Sequence, residues 1–171
     1  MKVPGSIRCV LLCLGASAVL AFATGCAGDN VHQPRPEAKP ENLAFGGDLL
    51  SSIPLFPDFG PLVNADSLRI IWSNSSRTRA TVELDEFSLY IDVVNLNITI
   101  GRMQINNVAF MWDDDGNATF ERPNFACQAG AYYTEGSLAG TYTADGDVDI
   151  VIDYKPGSMP FMVKSRFIAS K

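Results

Sequence analysis

A chain of 171 residues, 47% hydrophobic and 19% charged, carries enough apolar material for one domain with a real core. Its formal net charge of −6 argues against nucleic acid and against electrostatic attachment to anionic membranes. Its single histidine, His32, lies outside every stretch that reads as folded, which removes Ser-His-Asp and Cys-His catalysis and histidine-based zinc sites from the domain.

The chain opens with Lys2 and Arg8, an apolar run from Val10 to Ala23, and the small residues Ala23-Thr24-Gly25 before Cys26. A cationic start, an apolar run of this length and small residues before a cut are the anatomy of a secretory signal. The run is shorter than the roughly 20 residues a permanent membrane span needs. Ala23-Thr24-Gly25-Cys26 resembles the lipobox of bacterial lipoproteins. That resemblance implies a signal peptide over 1–25, cleavage before Cys26, and acyl chains on Cys26. The implied partner is a membrane, held through that anchor, and the implied location is the outer membrane, on either its periplasmic or its outer face. Each buried methylene adds about 0.8 kcal/mol to such an anchor, so several chains hold nearly permanently. An ordinary signal peptide that leaves Cys26 free is the alternative. Under the lipobox reading Cys9 and Cys13 leave with the signal, and Cys127 is alone in the domain, with no intramolecular disulfide open to it. Nothing near Cys127 in the sequence lowers its pKa, so it reads as a small buried apolar residue.

Residues 26–42 include AGDNVHQPRPEAKP, where prolines alternate with charges; they read as an extended, flexible tether. Leu43 to Val63 is too apolar for free disorder. Gly46, Gly47, Pro54, Pro57, Gly60 and Pro61 break it too often for a helix, so it reads as a lead-in segment that packs on the domain and closes one end. From Asp66 the texture is β. Ser67–Ser73 places Leu68, Ile70 and Trp72 on one face. Arg79–Asp85 alternates, and Phe87, Leu89 and Ile91 continue opposite Ser88, Tyr90 and Asp92. Leu96–Met103 and Gln104–Asp113 follow, the latter with Val108, Phe110 and Trp112 on one face. Asp115-Gly116 is a hairpin signal, and the chain returns through Ala118–Glu121. Asn124–Tyr133 is another apolar stretch, which Gly136 breaks, before Ser137–Thr143 alternates again. Asp145-Gly146 and Pro156-Gly157 are further turns around the alternating run Asp147–Tyr154. Pro160–Ala169 closes the chain with Phe161, Val163 and Phe167 on one face.

No three-turn helix is convincing after the signal. The pattern predicts an all-β, antiparallel up-and-down barrel of about eight strands, drawn from eight to ten short strands in a single domain over 43–171, or a strongly bent sandwich. Closure is favoured because a lone edge strand invites pairing between molecules.

Phe87-Ser88-Leu89, Asn97-Ile98-Thr99-Ile100-Gly101, Ile105-Asn106-Asn107-Val108 and the ending Val148 to Phe167, above all Tyr154-Lys155-Pro156-Gly157-Ser158-Met159-Pro160-Phe161, resemble the calycin-like lipoproteins of gut and oral Bacteroidetes. The resemblance spans roughly Thr81 to Ala169. It implies a lipocalin-type barrel on a lipid anchor and carries over no catalytic residue and no cofactor.

An eight-stranded barrel is about wide enough to be filled by side chains or to hold one small ligand. Trp72, Phe110, Trp112, Leu138, Tyr142, Ile150 and Phe161 are the candidate ligand-binding residues, and they serve equally as a plain core. Gly140, between Leu138 and Tyr142 on one face, would leave room for a guest. The expected function is therefore a lipid-anchored envelope barrel that binds a small apolar or amphipathic molecule, without catalysis. The alternative is an interaction module with a filled barrel and an apolar outer patch drawn from Tyr90, Met111, Tyr132 and Tyr133. A hydrolase with paired carboxylates is a third class, but the acids fall mainly on turns and outward positions. Asp113–Asn117 reads as a hairpin turn, with a weak calcium site as the alternative; no metal ligand is assigned.

Overall fold

The computed structural model describes residues 40–53, 62–91 and 95–170, without the side chains of 62–65 and 91. The signal at 1–25, Cys26, His32 and the tether up to residue 39 lie outside the described residues. Ten strands follow in chain order: β1 (Leu43–Ser52), β2 (Leu62–Trp72), β3 (Arg79–Leu84), β4 (Phe87–Ile91), β5 (Leu96–Ile100), β6 (Met103–Trp112), β7 (Ala118–Ala129), β8 (Tyr132–Tyr142), β9 (Val148–Pro156) and β10 (Val163–Ala169).

Eight of them form a closed antiparallel barrel in the order β1-β10-β9-β8-β7-β6-β3-β2. Neighbours are consecutive in sequence except at two places. β10 pairs with β1 to close the ring, and β3 pairs with β6 across an inserted β4–β5 hairpin that forms its own small sheet. The up-and-down all-β barrel read from the sequence is the architecture observed.

The period-2 pattern explains the closure. Leu68, Ile70 and Trp72 on β2, Ala80, Val82 and Leu84 on β3, and Val148, Ile150, Ile152 and Tyr154 on β9 are buried in one core. The residues between them on the same strands, such as Arg79, Thr81, Asp149 and Asp153, lie toward solvent, and β10 alternates without a fault. Apolar inside and charged outside is the reverse of a membrane-spanning barrel, whose outer wall is an apolar band.

Both Asp-Gly hairpins form as expected, with Gly116 at φ 84° and Gly146 at φ 96°, a backbone that glycine adopts without steric cost. They lie side by side at one end of the barrel, where the Ala144 N–H donates to Asn117 Oδ1 over 3.0 Å. This end also holds the β2–β3 turn and the start of β1. The opposite end holds the β7–β8 and β9–β10 turns and the β4–β5 hairpin.

Three expectations are corrected. Leu43–Val63 is not a lead-in segment, since its first ten residues are β1 and its last two begin β2, both full staves of the barrel. Gly47 interrupts the pattern because strands approach closely there, whereas Gly46 faces open space. A Cβ on Gly47 would sit 2.2 Å from the Ile168 carbonyl oxygen of β10. Phe87–Ile91 and Leu96–Ile100 do not continue the barrel wall. They fold over its end, burying Phe87, Leu89, Ile98 and Ile100 in the common core. Gly136 does not break a strand. The turn falls at Gly130, with φ 62°, while Gly136 sits inside β8, where a Cβ would meet the Asp153 carbonyl oxygen at 2.2 Å.

Candidate functional site

Trp72 ends β2, Phe110 and Trp112 end β6, and Tyr142 ends β8, so the alternation brings all four to the Asp-Gly end of the barrel. They form one aromatic cluster. The ring centroids of Trp72 and Phe110 are 4.9 Å apart edge to face, those of Trp72 and Trp112 6.0 Å apart, and those of Trp112 and Tyr142 5.8 Å apart. Trp72 and Phe110 are buried, whereas Trp112 and Tyr142 are partly exposed at the mouth. Trp112 Nε1 donates to the Arg77 carbonyl oxygen over 2.9 Å, and the Arg77 guanidinium lies 6.0 Å from the Trp72 ring centre.

The remaining candidates are not gathered there. Leu138 and Ile150 are buried in the wall of β8 and β9, each packed into the general core. Phe161 precedes β10 at the far end and is only partly buried, so it takes no part in the cluster.

Two residues that the sequence reading missed complete the cluster. Phe120 stacks on Phe110 at 4.4 Å, and Phe45 meets Tyr142 edge to face at 6.4 Å. Phe120 takes the room expected beside Gly140. It is the cross-strand partner of Gly140, and a Cβ on Gly140 would lie 2.5 Å from Phe120 Cζ. The room beside Gly140 is real, and a phenyl ring fills it. The alternation of Ala118, Thr119, Phe120 and Glu121 signals that Phe120 faces inward; the register then sets it opposite a glycine, the aromatic-over-glycine pairing of strongly curved sheets.

Further described side chains fill the interior between β1, β10 and β9. Tyr154 and Ser165 are fully buried, with Tyr154 Oη 3.2 Å from Ser165 Oγ, which lies 2.7 Å from Ser51 Oγ. This chain of hydroxyls satisfies the polar atoms of the β1–β10–β9 wall. Burial pushes the Tyr154 phenol far above its usual range. The β4–β5 hairpin then covers the far end. Gly101, which returns from it, packs on Gly130, where a Cβ would fall 2.3 Å from the Gly130 nitrogen.

Openings lie at the surface of the described residues. A cleft of about 160 Å³ at the mouth is lined by Leu43, Phe45, Gly46, Tyr142 and Ala169. Another of about 340 Å³ lies along the β6–β7 hairpin beside Met111, Trp112 and Tyr142. A broad groove of about 740 Å³ runs along β7, β8 and β9 beside Arg122, Phe125, Glu135, Asp153, Lys155 and Met162.

The acids do not converge. Asp113 accepts the Asp115 and Asn117 N–H groups on Oδ1 and the Asn117 amide on Oδ2, and these bonds hold its carboxyl below the usual range. Those oxygens are used by the turn itself, and no group of three His, Cys, Asp or Glu able to hold a metal lies among the described residues. Asp66, opposite Gly47, is different. Its Oδ2 is buried with no partner, and desolvation lifts its pKa to about 6 against the hydrogen bond from the Ser67 N–H, with Asp85 adding to the rise. Cys127 is half-buried, and burial raises its thiol. The candidate outer patch does not exist as one surface. Tyr90, Met111 and Tyr133 are 50%, 61% and 57% exposed but stand on β4, β6 and β8, with Met111 at the opposite end from the other two, and Tyr132 is partly buried.

These features define a small closed β-barrel with a buried apolar core and charged residues on its outer wall. No protein-family model matches the chain, and no curated protein matches it. Among solved structures it is similar to the crystal structure of a proposed outer membrane protein from Bacteroides fragilis. The TM-score is 0.62 and the identity 17%, over 76% of this chain and 50% of that one. The chain thus spans about half the length of that protein, and at this identity the likeness shows the fold.

Proposed function

We propose that this protein is a lipid-anchored, non-catalytic module of the cell envelope whose filled barrel works through its outer surface, as a docking or spacing body. The observation that carries this reading is the Phe120 ring, which takes the space beside Gly140 that an interior ligand would need. The anchor at Cys26, the outer-membrane location and the calycin-like character are what the resemblances in the sequence imply. The description of the Bacteroides fragilis neighbour as a proposed outer membrane protein is consistent with them. A barrel with charged outer residues needs such an anchor to stay at a membrane.

A second reading keeps a small apolar ligand but moves it to the mouth. The cleft beside Phe45 and Tyr142 has the size of a single ring, and both side chains have a face to offer. Methyl and aromatic NMR with an envelope lipid extract separates the two. A filled barrel leaves the Ile150 methyl and the Trp72 indole unmoved at every extract concentration. Saturable shifts at Phe45 and Tyr142 with Ile150 still would support the mouth site. Saturable shifts at Ile150 would overturn the filled barrel.

A further inference from the structure

On β7 the ladder slips. Arg122 pairs with Leu138, but Phe125 pairs with Gly136, so three steps on β7 match two on β8 and Pro123-Asn124 bulge out. Proline suits the bulge because it has no N–H to offer a ladder. The pairing of β7 with β6 ends at Glu121, so the bulged stretch is loosened on both sides. The broad groove opens at this slip, against β8 and β9.

Arg122 is the described cation whose buried N–H lacks a partner. Arg69 bonds Glu83 and Asp85, Arg102 bonds Asp85, and Arg166 bonds Asp149. Arg122 forms no ion pair among the described residues, and its Nε is buried with no hydrogen-bond partner. A buried N–H of a charged group without an acceptor is costly, and native folds retain one where something else supplies the acceptor. Glu135 and Asp153 line the same groove yet do not reach it. Beside Arg122 lie the edge of Phe125 and Met162, which is 44% exposed.

We propose that this groove in the barrel wall binds a small amphipathic monocarboxylate, its carboxylate accepting from Arg122 and its apolar part lying on Met162 and Phe125. Planar guanidinium and carboxylate match in shape as well as charge. The two acids at the rim, offset by Lys155, disfavour a ligand with a second carboxylate. The site goes beyond the proposed function, since it lies in the wall and leaves the filled interior as it is.

Titration of the folded domain with sodium octanoate below its micelle concentration, followed by amide NMR, tests the site. Saturable shifts should centre on 122–126 and 135–137. Octanol, equal in length but without the charge, should bind at least about tenfold more weakly, as should octanoate to Arg122→Gln. Met162→Glu, at an exposed position, should weaken octanoate by a similar factor through repulsion and decides the matter if Arg122→Gln does not fold. Equal affinity for octanol, octanoate binding indifferent to the substitutions that fold, or no saturable shift at all would each overturn the proposal. Shifts at Ile150 instead would fault the filled barrel and leave this groove unsupported.

Discussion

Asp66 stores an electrostatic strain that the pH can read. Burial lifts its carboxyl to about 6, while in the unfolded chain it titrates near 4. The folded chain therefore binds the proton more tightly, and the contribution is favourable below about pH 4, is lost as the pH rises to about 6, and stays lost above that. Asp149, held down first by its hydrogen bond from Arg166, and Asp113, held down by Asn117, slope the other way, and their contribution is lost only as the pH falls below the usual carboxylate range. Asp66→Asn should flatten the slope between about pH 4 and pH 6 and stabilise the fold at pH 7 by about 1–2 kcal/mol. Urea unfolding of both proteins at the two pH values checks this, and parallel pH dependence would remove Asp66 as the cause. Nothing in the sequence announced this carboxylate, because its surroundings come from pairing, which sets it opposite Gly47, nineteen positions away. Gly140 teaches the same lesson. A glycine on an inward face was legible as missing volume, but what filled the volume sat on a neighbouring strand.

At the scale of elements, the β4–β5 hairpin separates what alternation can and cannot say. Phe87 and Leu89 were readable as one face and Ser88 and Tyr90 as the other, and the structure keeps that division. Alternation gives the faces of a strand and not the sheet it joins, so the hairpin passed for two staves of the wall. Conversely, β1 was hidden because glycines and flanking prolines diluted its pattern, although Phe45, Leu49, Ser51 and Ile53 keep the period. The hairpin acts as a stopper only if its inner face packs as core. Leu89 is fully buried, so Leu89→Ala should cost about 2–4 kcal/mol, as truncations in well-packed cores do. Asn97→Ser, on the exposed face of the same hairpin, should stay within about 0.5 kcal/mol. Denaturant midpoints measure both, and similar small losses at the two positions would mean that the hairpin lies loosely on the barrel end.

For the whole molecule, closure and sidedness act together. With β10 zipped to β1 the barrel presents no free edge, and the charged residues left outside, such as Arg79, Glu121, Lys164 and Arg166, keep its wall in water. The closed β-architecture was legible because each strand carries its own period and each hairpin its own turn residues. The occupancy of the interior was not, because it depends on side chains from strands far apart in the chain meeting at one level. Such a wall does not suit a bilayer, whose hydrocarbon excludes charged side chains, so the proposed function assigns residence at a membrane to acyl chains on Cys26. Membrane attachment of the full-length protein should therefore depend on one sulfur. Expressed in a host that processes lipoproteins, the native chain should sediment with membranes and leave them only in detergent. Cys26→Ser should be exported, fold to the same melting temperature, and appear in the aqueous fraction after osmotic shock. If the serine variant stays with the membrane through a high-salt wash, the barrel itself or a membrane partner provides the hold, and the polar wall has been given the wrong surroundings. If it is released, the acyl chains provide the hold and the barrel is left free to present its groove and its rim.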